Sequence, residues 1–389
     1  MNHDTILYSI FLIFSGAALV ATLALYARQA LIVGYIVLGA VVGPWGLQLV
    51  DDSGLIQDIA QVGIIFLLFL LGLDLYPQKL IQLLRKTTLV TLVTSVVFAG
   101  LGWGTAVVFG YTMTEALVIG IATMFSSTIV GLKLLPTTVL HHRHTGEVII
   151  SVLLLQDVIA IISLLVLQGM DQGDVPTGDM IVLALSLPFL ILAVAIVARF
   201  VLLPLFRRFD KIQEYIFLLA IGWCLGVAQL ADALGLSYEI GAFIGGVAIA
   251  TNPISRFIAE SLRPIRDFFL VMFFFALGAG LNMQEIGVVM IPASLLALLV
   301  LLLKPVVFKI MLIRVSETEK LGWETGWRLG QMSEFSLLIA FVALQGGLIA
   351  SEAAYLIQVA TLITFIGSSY LIVLRYPTPI GVSARLRRN

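Results

Sequence analysis

Cysteine is all but missing from this chain of 389 residues: Cys224 stands alone inside an apolar run. That excludes an internal disulfide and a cysteine-based metal cluster, and leaves a buried packing thiol. Charge is scarce too, at 12% of residues against 60% hydrophobic, far too little for a water-soluble single core of this size. No Gly-rich nucleotide loop, paired metal-ligand motif or nucleophile elbow in a plausible context occurs. Nor does a basic region lead the first apolar segment, which begins within five residues of Met1 and runs to about Tyr26, so it reads as a retained span rather than a cleaved signal. What the chain has instead is hydrocarbon: its mean hydropathy is +1.09, the mark of a multi-span membrane protein with no soluble domain.

Hydropathy predicts thirteen spans. The first seven lie at about 5–26, 30–47, 56–75, 87–110, 113–135, 147–168 and 180–206. Six more follow at about 213–234, 237–250, 263–281, 286–313, 321–346 and 352–375. The second is punctuated by Gly34, Gly39, Gly43, Pro44 and Gly46, and the ninth by Gly241, Gly245 and Gly246, so both are short or irregular and permit close helix approach.

Basic residues gather on the cytoplasmic side of membrane spans. Here they follow alternate spans: Arg28, then Lys79, Arg85 and Lys86, Lys133 and Arg143, Arg207, Arg208 and Lys211, Arg256, Arg263 and Arg266, Lys309, Arg314 and Lys320, and finally Arg375 with the basic tail. The intervening connections, such as 110–115, 171–179 and 346–352, have no Lys or Arg. An odd span count follows, with the N-terminus outside and the C-terminus in the cytoplasm.

The sequence also repeats. Gly280-Leu281-Asn282-Met283 ends the tenth span as Gly72-Leu73-Asp74-Leu75 ends the third, 208 residues earlier. The glycine-rich second and ninth spans pair at a similar displacement, as do the polar interruptions Phe125-Ser126-Ser127 and Met332-Ser333-Glu334. The displacement is seven spans, an odd number, so the second copy runs the opposite way through the membrane. Inverted repeats with interrupted helices at matching places point to a secondary transporter with its site at the repeat interface.

Asp157 is the residue that most needs a reason. About ten residues flank it on each side within the sixth span, so at about 1.5 Å per residue it lies about 15 Å deep, midway through a core about 30 Å thick. A charge there costs about 2.5–3.5 kcal/mol, which argues for a site that faces protein or water and handles protons or cations; a protonated, hydrogen-bonded packing residue is the other reading. Ser126, Ser127 and Thr128 interrupt the fifth span, where their hydroxyls can satisfy a broken helix or offer oxygens to a cation, and Gly330, Gln331, Ser333 and Glu334 interrupt the twelfth. Crossing breaks bring four half-helix ends together, with Asp157 and Glu334 placed to face the N-terminal ends and Lys304 the C-terminal ends. Packing against neighbours accounts equally well for any one hydroxyl, and snorkelling is the plain alternative for Lys304.

Glu239, at the start of the ninth span, reads as a solvated helix end before a vestibule carboxylate, and Asp74 as a capping or loop residue. His141, His142 and His144 read first as a solvated loop and second as a pH sensor.

Taken together, LLLQDVIAI, the FSST interruption, GYIVLGAVVGPWGL, LSYEIGAFIGG and LGQMSEFSLL resemble the cation/proton antiporter-2 family, in particular its Kef-type potassium/proton branch, over nearly the whole chain. The resemblance implies an all-α membrane protein of about 13 helices with a sodium/proton-antiporter-like fold, inverted repeats and two crossed broken helices. It implies a homodimer with a dimerising panel and a moving core, and Asp157 as the carboxylate that binds the monovalent cation or the proton. Gln156 then stands where sodium-selective relatives often have a second Asp or an Asn. Lys304 falls on the family's intramembrane lysine, and Ser127 and Gln331 on its unwound helices.

The expected organisation is an antiporter domain over 1–376, with repeat one at about 5–168, a linker helix at about 180–206 and repeat two at about 213–375. A basic tail at 377–389 follows, without the nucleotide-binding domain into which Kef-type proteins often continue. No cofactor and no nucleic acid is expected. The partners are lipid of the cytoplasmic (inner) membrane and a second copy, with a separate regulatory subunit left open. A gated cation channel is the rival function, although a filter is normally a ring of repeated ligands and this chain offers one asymmetric carboxylate. An intramembrane enzyme lacks a His or Cys dyad at depth.

Overall fold

The computed structural model describes residues 3–27, 29, 31–50, 53–74, 77–133, 144–171, 177–209, 211–236 and 238–378. Among them the helices are α1 His3–Tyr26, α2 Leu31–Val42, α3 Ser53–Asp74, α4 Pro77–Val108, α5 Met113–Met124, α6 Thr128–Lys133, α7 His144–Asp171 and α8 Thr177–Val197. A π turn at Ala198–Leu202 leads into α9 Leu203–Arg208, followed by α10 Gln213–Ala233, α11 Tyr238–Ala250, α12 Ile254–Ala279, α13 Met283–Arg314, α14 Glu319–Arg328, α15 Glu334–Gln345 and α16 Ser351–Arg375. They match the thirteen expected spans in order. The fifth span is split into α5 and α6, the twelfth into α14 and α15, and the seventh is α8, the π turn and α9.

Seven of these helices are long and apolar enough to cross a membrane, and four shorter ones of 10–17 residues are apolar as well. The short ones have a cause: Met113–Met124 and Glu334–Gln345 are halves of broken spans, and Leu31–Val42 and Ile240–Ala250 belong to the glycine-rich second and ninth. Two helices start about ten residues earlier than hydropathy places them, α4 at Pro77 and α12 at Ile254. Hydropathy stops at charged residues, whereas the backbone hydrogen bonds of a helix continue through them.

The chain divides into two units. The first comprises residues 1–14, 38–80 and 172–280. Its core is drawn from α3, α9, α10, α11 and α12, including Phe69, Phe206, Ala242 and Leu262, and fully buried Cys224 packs inside it. Two crossings in this unit need glycine. A Cβ on Gly39 would lie 2.0 Å from the Phe275 carbonyl oxygen, and one on Gly246 would lie 2.2 Å from that of Phe69, so α2 meets α12, and α11 meets α3, backbone to backbone. The two glycines are 207 residues apart, at nearly the displacement that relates the sequence repeats.

The second unit comprises residues 15–37, 81–171 and 281–389. Phe98 of α4, Val152 of α7 and Phe308 and Leu312 of α13 form part of its core, with the rings of Phe98 and Phe308 5.5 Å apart. Helix starts follow local chemistry. Thr112 and Glu115 close a capping box at α5, Thr318 accepts from the Leu321 amide at α14, and Ser333 accepts from the Phe335 amide at α15. Along α14, a Cβ on Gly326 would come within 2.5 Å of the Pro305 oxygen, so α14 lies tight against α13 one residue beyond Lys304.

Candidate functional site

All the expected site residues fall in the second unit. The first break is Phe125–Ser127, with Phe125 extended at φ −87°, ψ 153°, and the second runs from Leu329 to Ser333, which is extended at φ −118°, ψ 158°. Thr128 and Glu334 lie beside the breaks rather than in them: each is the first residue of a half-helix, α6 and α15 respectively.

Breaking a helix in an apolar medium releases amides and carbonyls that must find partners within the protein. In the first break, the Ser126 amide donates to Gln156 Oε1 (3.1 Å), and Gln156 Nε2 returns to the Met124 oxygen (3.4 Å). The Val130 amide donates to Ser127 Oγ at 3.0 Å, capping α6. In the second, the Met332 amide donates to Thr364 Oγ1 at 3.1 Å and the Ser333 amide to Ser336 Oγ at 3.2 Å. The two broken spans are also bonded to each other. Ser126 Oγ donates to the Leu329 oxygen at 2.8 Å, Gln331 Nε2 to the Ser127 oxygen at 3.4 Å, and Ser336 Oγ to the Ala122 oxygen.

Lys304 is 0% exposed, and its ammonium donates to the Phe125 oxygen (2.7 Å) and the Gln331 oxygen (3.1 Å) while lying 5.0 Å from the centre of the Phe98 ring. These carbonyls lie at the C-terminal edge of α5 and in the second break, where partial negative charge collects. Ser127, Gln331 and Ser333 are likewise 0% exposed, and Ser126 and Gln156 1%.

Asp157 is also 1% exposed. Its Oδ1 lies a long 3.5 Å from Thr128 Oγ1, and its buried Oδ2 has no hydrogen-bond partner among the described residues. Glu334 acts on it electrostatically. A carboxylate held this way, beside one hydroxyl with an oxygen to spare, can take up a proton or complete its coordination around a small cation.

The structure brings in two residues that the sequence reading passed over. Thr364 caps the Met332 amide, and Ser368 Oγ donates to Gln331 Oε1 at 2.9 Å. A signal for Thr364 was present, since it lies 207 residues after Asp157, just as Met332 lies 207 after Phe125. At each break a long helix, α7 through Gln156 or α16 through Thr364, thus caps a freed amide.

Of the histidine group, His141 and His142 lie outside the described residues, as do Arg143 and the side chains of Asp74 and Glu239. His144, exposed at the start of α7, places Nε2 2.9 Å from Glu317 Oε1 and Nδ1 3.4 Å from Glu147 Oε2. Imidazole titrates near neutral pH, and two carboxylates favour its protonated form. The tie of α7 to the α13–α14 connection is thus strongest below the histidine range and fades as the ring loses its proton above it. His144→Ala is expected to melt below wild type at about pH 6 and together with it at about pH 9, a small effect because the imidazole itself is exposed to solvent. Parallel melting curves at the two pH values check this.

The sodium/hydrogen exchanger transmembrane family model matches residues 11–375. The chain belongs to that family. Members of the exchanger family are transporters, and the Kef-type resemblance is borne out among its relatives. Glutathione-regulated potassium-efflux system protein KefC of Salmonella schwarzengrund is 27% identical over 96% of this chain and 61% of its own length. K(+) efflux antiporter 4 of Arabidopsis thaliana is 31% identical over 93% of this chain and 62% of its own. The chain thus spans about three fifths of the length of these two relatives. Iron transporter MagA of Paramagnetospirillum magneticum is 27% identical over 95% of this chain and 85% of its own length. Among solved structures, the sodium proton antiporter MjNhaP1 of Methanocaldococcus jannaschii superposes with a TM-score of 0.71 at 18% identity, covering 95% of each chain, so this exchanger-family member has the antiporter fold.

Proposed function

We propose that this chain exchanges a monovalent cation, potassium or sodium, for a proton by alternating access, with Asp157 holding each in turn. The observation that carries this reading is the Asp157 carboxylate, buried with Oδ2 unpartnered among the described residues, in a crossover whose freed backbone groups find partners on neighbouring side chains. Thr128 offers the nearest hydroxyl, and Ser126, Ser127 and Gln156 keep the first break in shape around it. Lys304, Gln331, Ser333 and Glu334 balance the half-helix ends. Gln156 spends its amide on Ser126 and Met124, so the position beside Asp157 adds no second negative charge. A site with one such carboxylate suits a monovalent ion and one-for-one, electroneutral exchange, and it argues against carrying over the iron named for MagA.

A channel is not favoured, because the family is one of exchangers and the described residues of the site offer one asymmetric carboxylate rather than a ring of repeated ligands. The unit that carries Asp157 is the one we assign to movement. We assign the protein to the inner membrane as a homodimer, N-terminus outside and C-terminus in the cytoplasm as the basic residues indicate. Proton movement into proteoliposomes under imposed potassium, sodium or lithium gradients tests the reading. A proton flux that depends on at least one of these ions is expected, and flux indifferent to all three would refute exchange.

A further inference from the structure

One face of α16 is polar and buried, with Gln358, Thr361, Thr364, Ser368 and Ser369 all at 6% exposure or less. Two of these side chains reach the second break, and their hydrogen bonds have a fixed sense. Thr364 donates its own proton to the Thr361 oxygen at 2.8 Å, which leaves its lone pairs for the Met332 amide. Ser368 donates to Gln331 Oε1 at 2.9 Å, while Gln331 Nε2 donates to the Arg328 oxygen at 3.0 Å and the Ser127 oxygen at 3.4 Å. The reverse amide orientation would set Oε1 against two carbonyl oxygens, so the network admits only one.

Gln331 thereby grips the peptide between Ser127 and Thr128, and the Thr128 hydroxyl is the one group within hydrogen-bonding distance of Asp157 Oδ1 among the described contacts. We propose that Ser368 is a positioning residue for the ion site, fixing the Gln331 carboxamide so that the Ser127–Thr128 peptide holds its hydroxyl against Asp157. This rests on the exchange reading given above. A proton needs one carboxylate oxygen, whereas a cation needs several oxygens at set distances, so loosening this peptide weakens cation binding more than proton binding.

The test compares wild type with Ser368→Ala, Gln331→Ala, the double variant and Ser369→Ala. Ser369 is the matched control, since its buried hydroxyl has no partner among the described residues. Ser368→Ala is expected to raise the apparent cation KM roughly five- to tenfold, the range of one lost hydrogen bond, with the maximal rate within about twofold of wild type. In the Gln331→Ala background it should add nothing, because it acts through that side chain. Amide deuterium exchange over 126–130 should quicken in Ser368→Ala and not in Ser369→Ala.

Additive effects of the two substitutions, an unchanged KM, or equal exchange in both serine variants would overturn the proposal. If wild type shows no cation-dependent proton flux, the functional reading falls. The deuterium exchange then still decides whether Ser368 fixes the Ser127–Thr128 peptide.

Discussion

Proteoliposomes carrying Asp157→Asn are expected to show no cation-driven proton movement, although the variant remains folded and monodisperse in detergent. Asparagine keeps the shape of the side chain and leaves an oxygen for the Thr128 hydroxyl, but it neither titrates nor balances a cation. It also removes the charge whose burial costs about 2.5–3.5 kcal/mol at mid-membrane, so folding has no reason to suffer. The effect separates the two readings of this residue. A packing carboxyl that is always protonated would tolerate Asn with exchange near wild type, and that outcome would remove Asp157 from the site.

Lys304→Met is expected to act in the opposite manner, on stability first. Replacing a buried ion pair with apolar groups is often neutral, because both charges leave together. The partners of Lys304 are the Phe125 and Gln331 carbonyls, which remain after the substitution. Each buried acceptor left without a donor costs about 1–3 kcal/mol, so the loss is about 2–6 kcal/mol even though Met fills the volume over the Phe98 ring. Thermal unfolding in detergent should show Lys304→Met melting several degrees below both wild type and Asp157→Asn. A melting temperature indistinguishable from wild type would mean that the crossover does not depend on this ammonium.

Much of this was legible in the sequence because the membrane restricts what a chain can do. Apolar length located the spans, the pairing of Phe125-Ser126-Ser127 with Met332-Ser333-Glu334 located the breaks, and one carboxylate at mid-span marked Asp157. What sequence cannot display is which side chain satisfies which freed backbone group. Gln156 stood out as the neighbour of Asp157, yet its amide is committed to Ser126 and Met124 in the adjoining broken span. Thr364 and Ser368 read as ordinary hydroxyls in an apolar helix, and they gain meaning only when α16 lies beside Gln331 and Met332. The ends of α4 and α12 were misplaced for a simpler reason, since charge ends a hydropathy window without ending a helix.

The proposed exchange at Asp157 trades one cation for one proton. A second proton would have to travel on Glu334, the carboxyl group whose charge reaches Asp157. The measurement is the balance point of transport in wild-type proteoliposomes, with a potassium or sodium gradient opposed by a proton gradient, first at zero potential and then with a potential imposed. Moving one net charge would couple the cycle to the membrane by about 2.3 kcal/mol per 100 mV. Proton flux should vanish when the two gradients are equal, at either potential. A balance point that follows the imposed potential would contradict one-for-one exchange at Asp157, and ion current without proton movement would contradict exchange altogether.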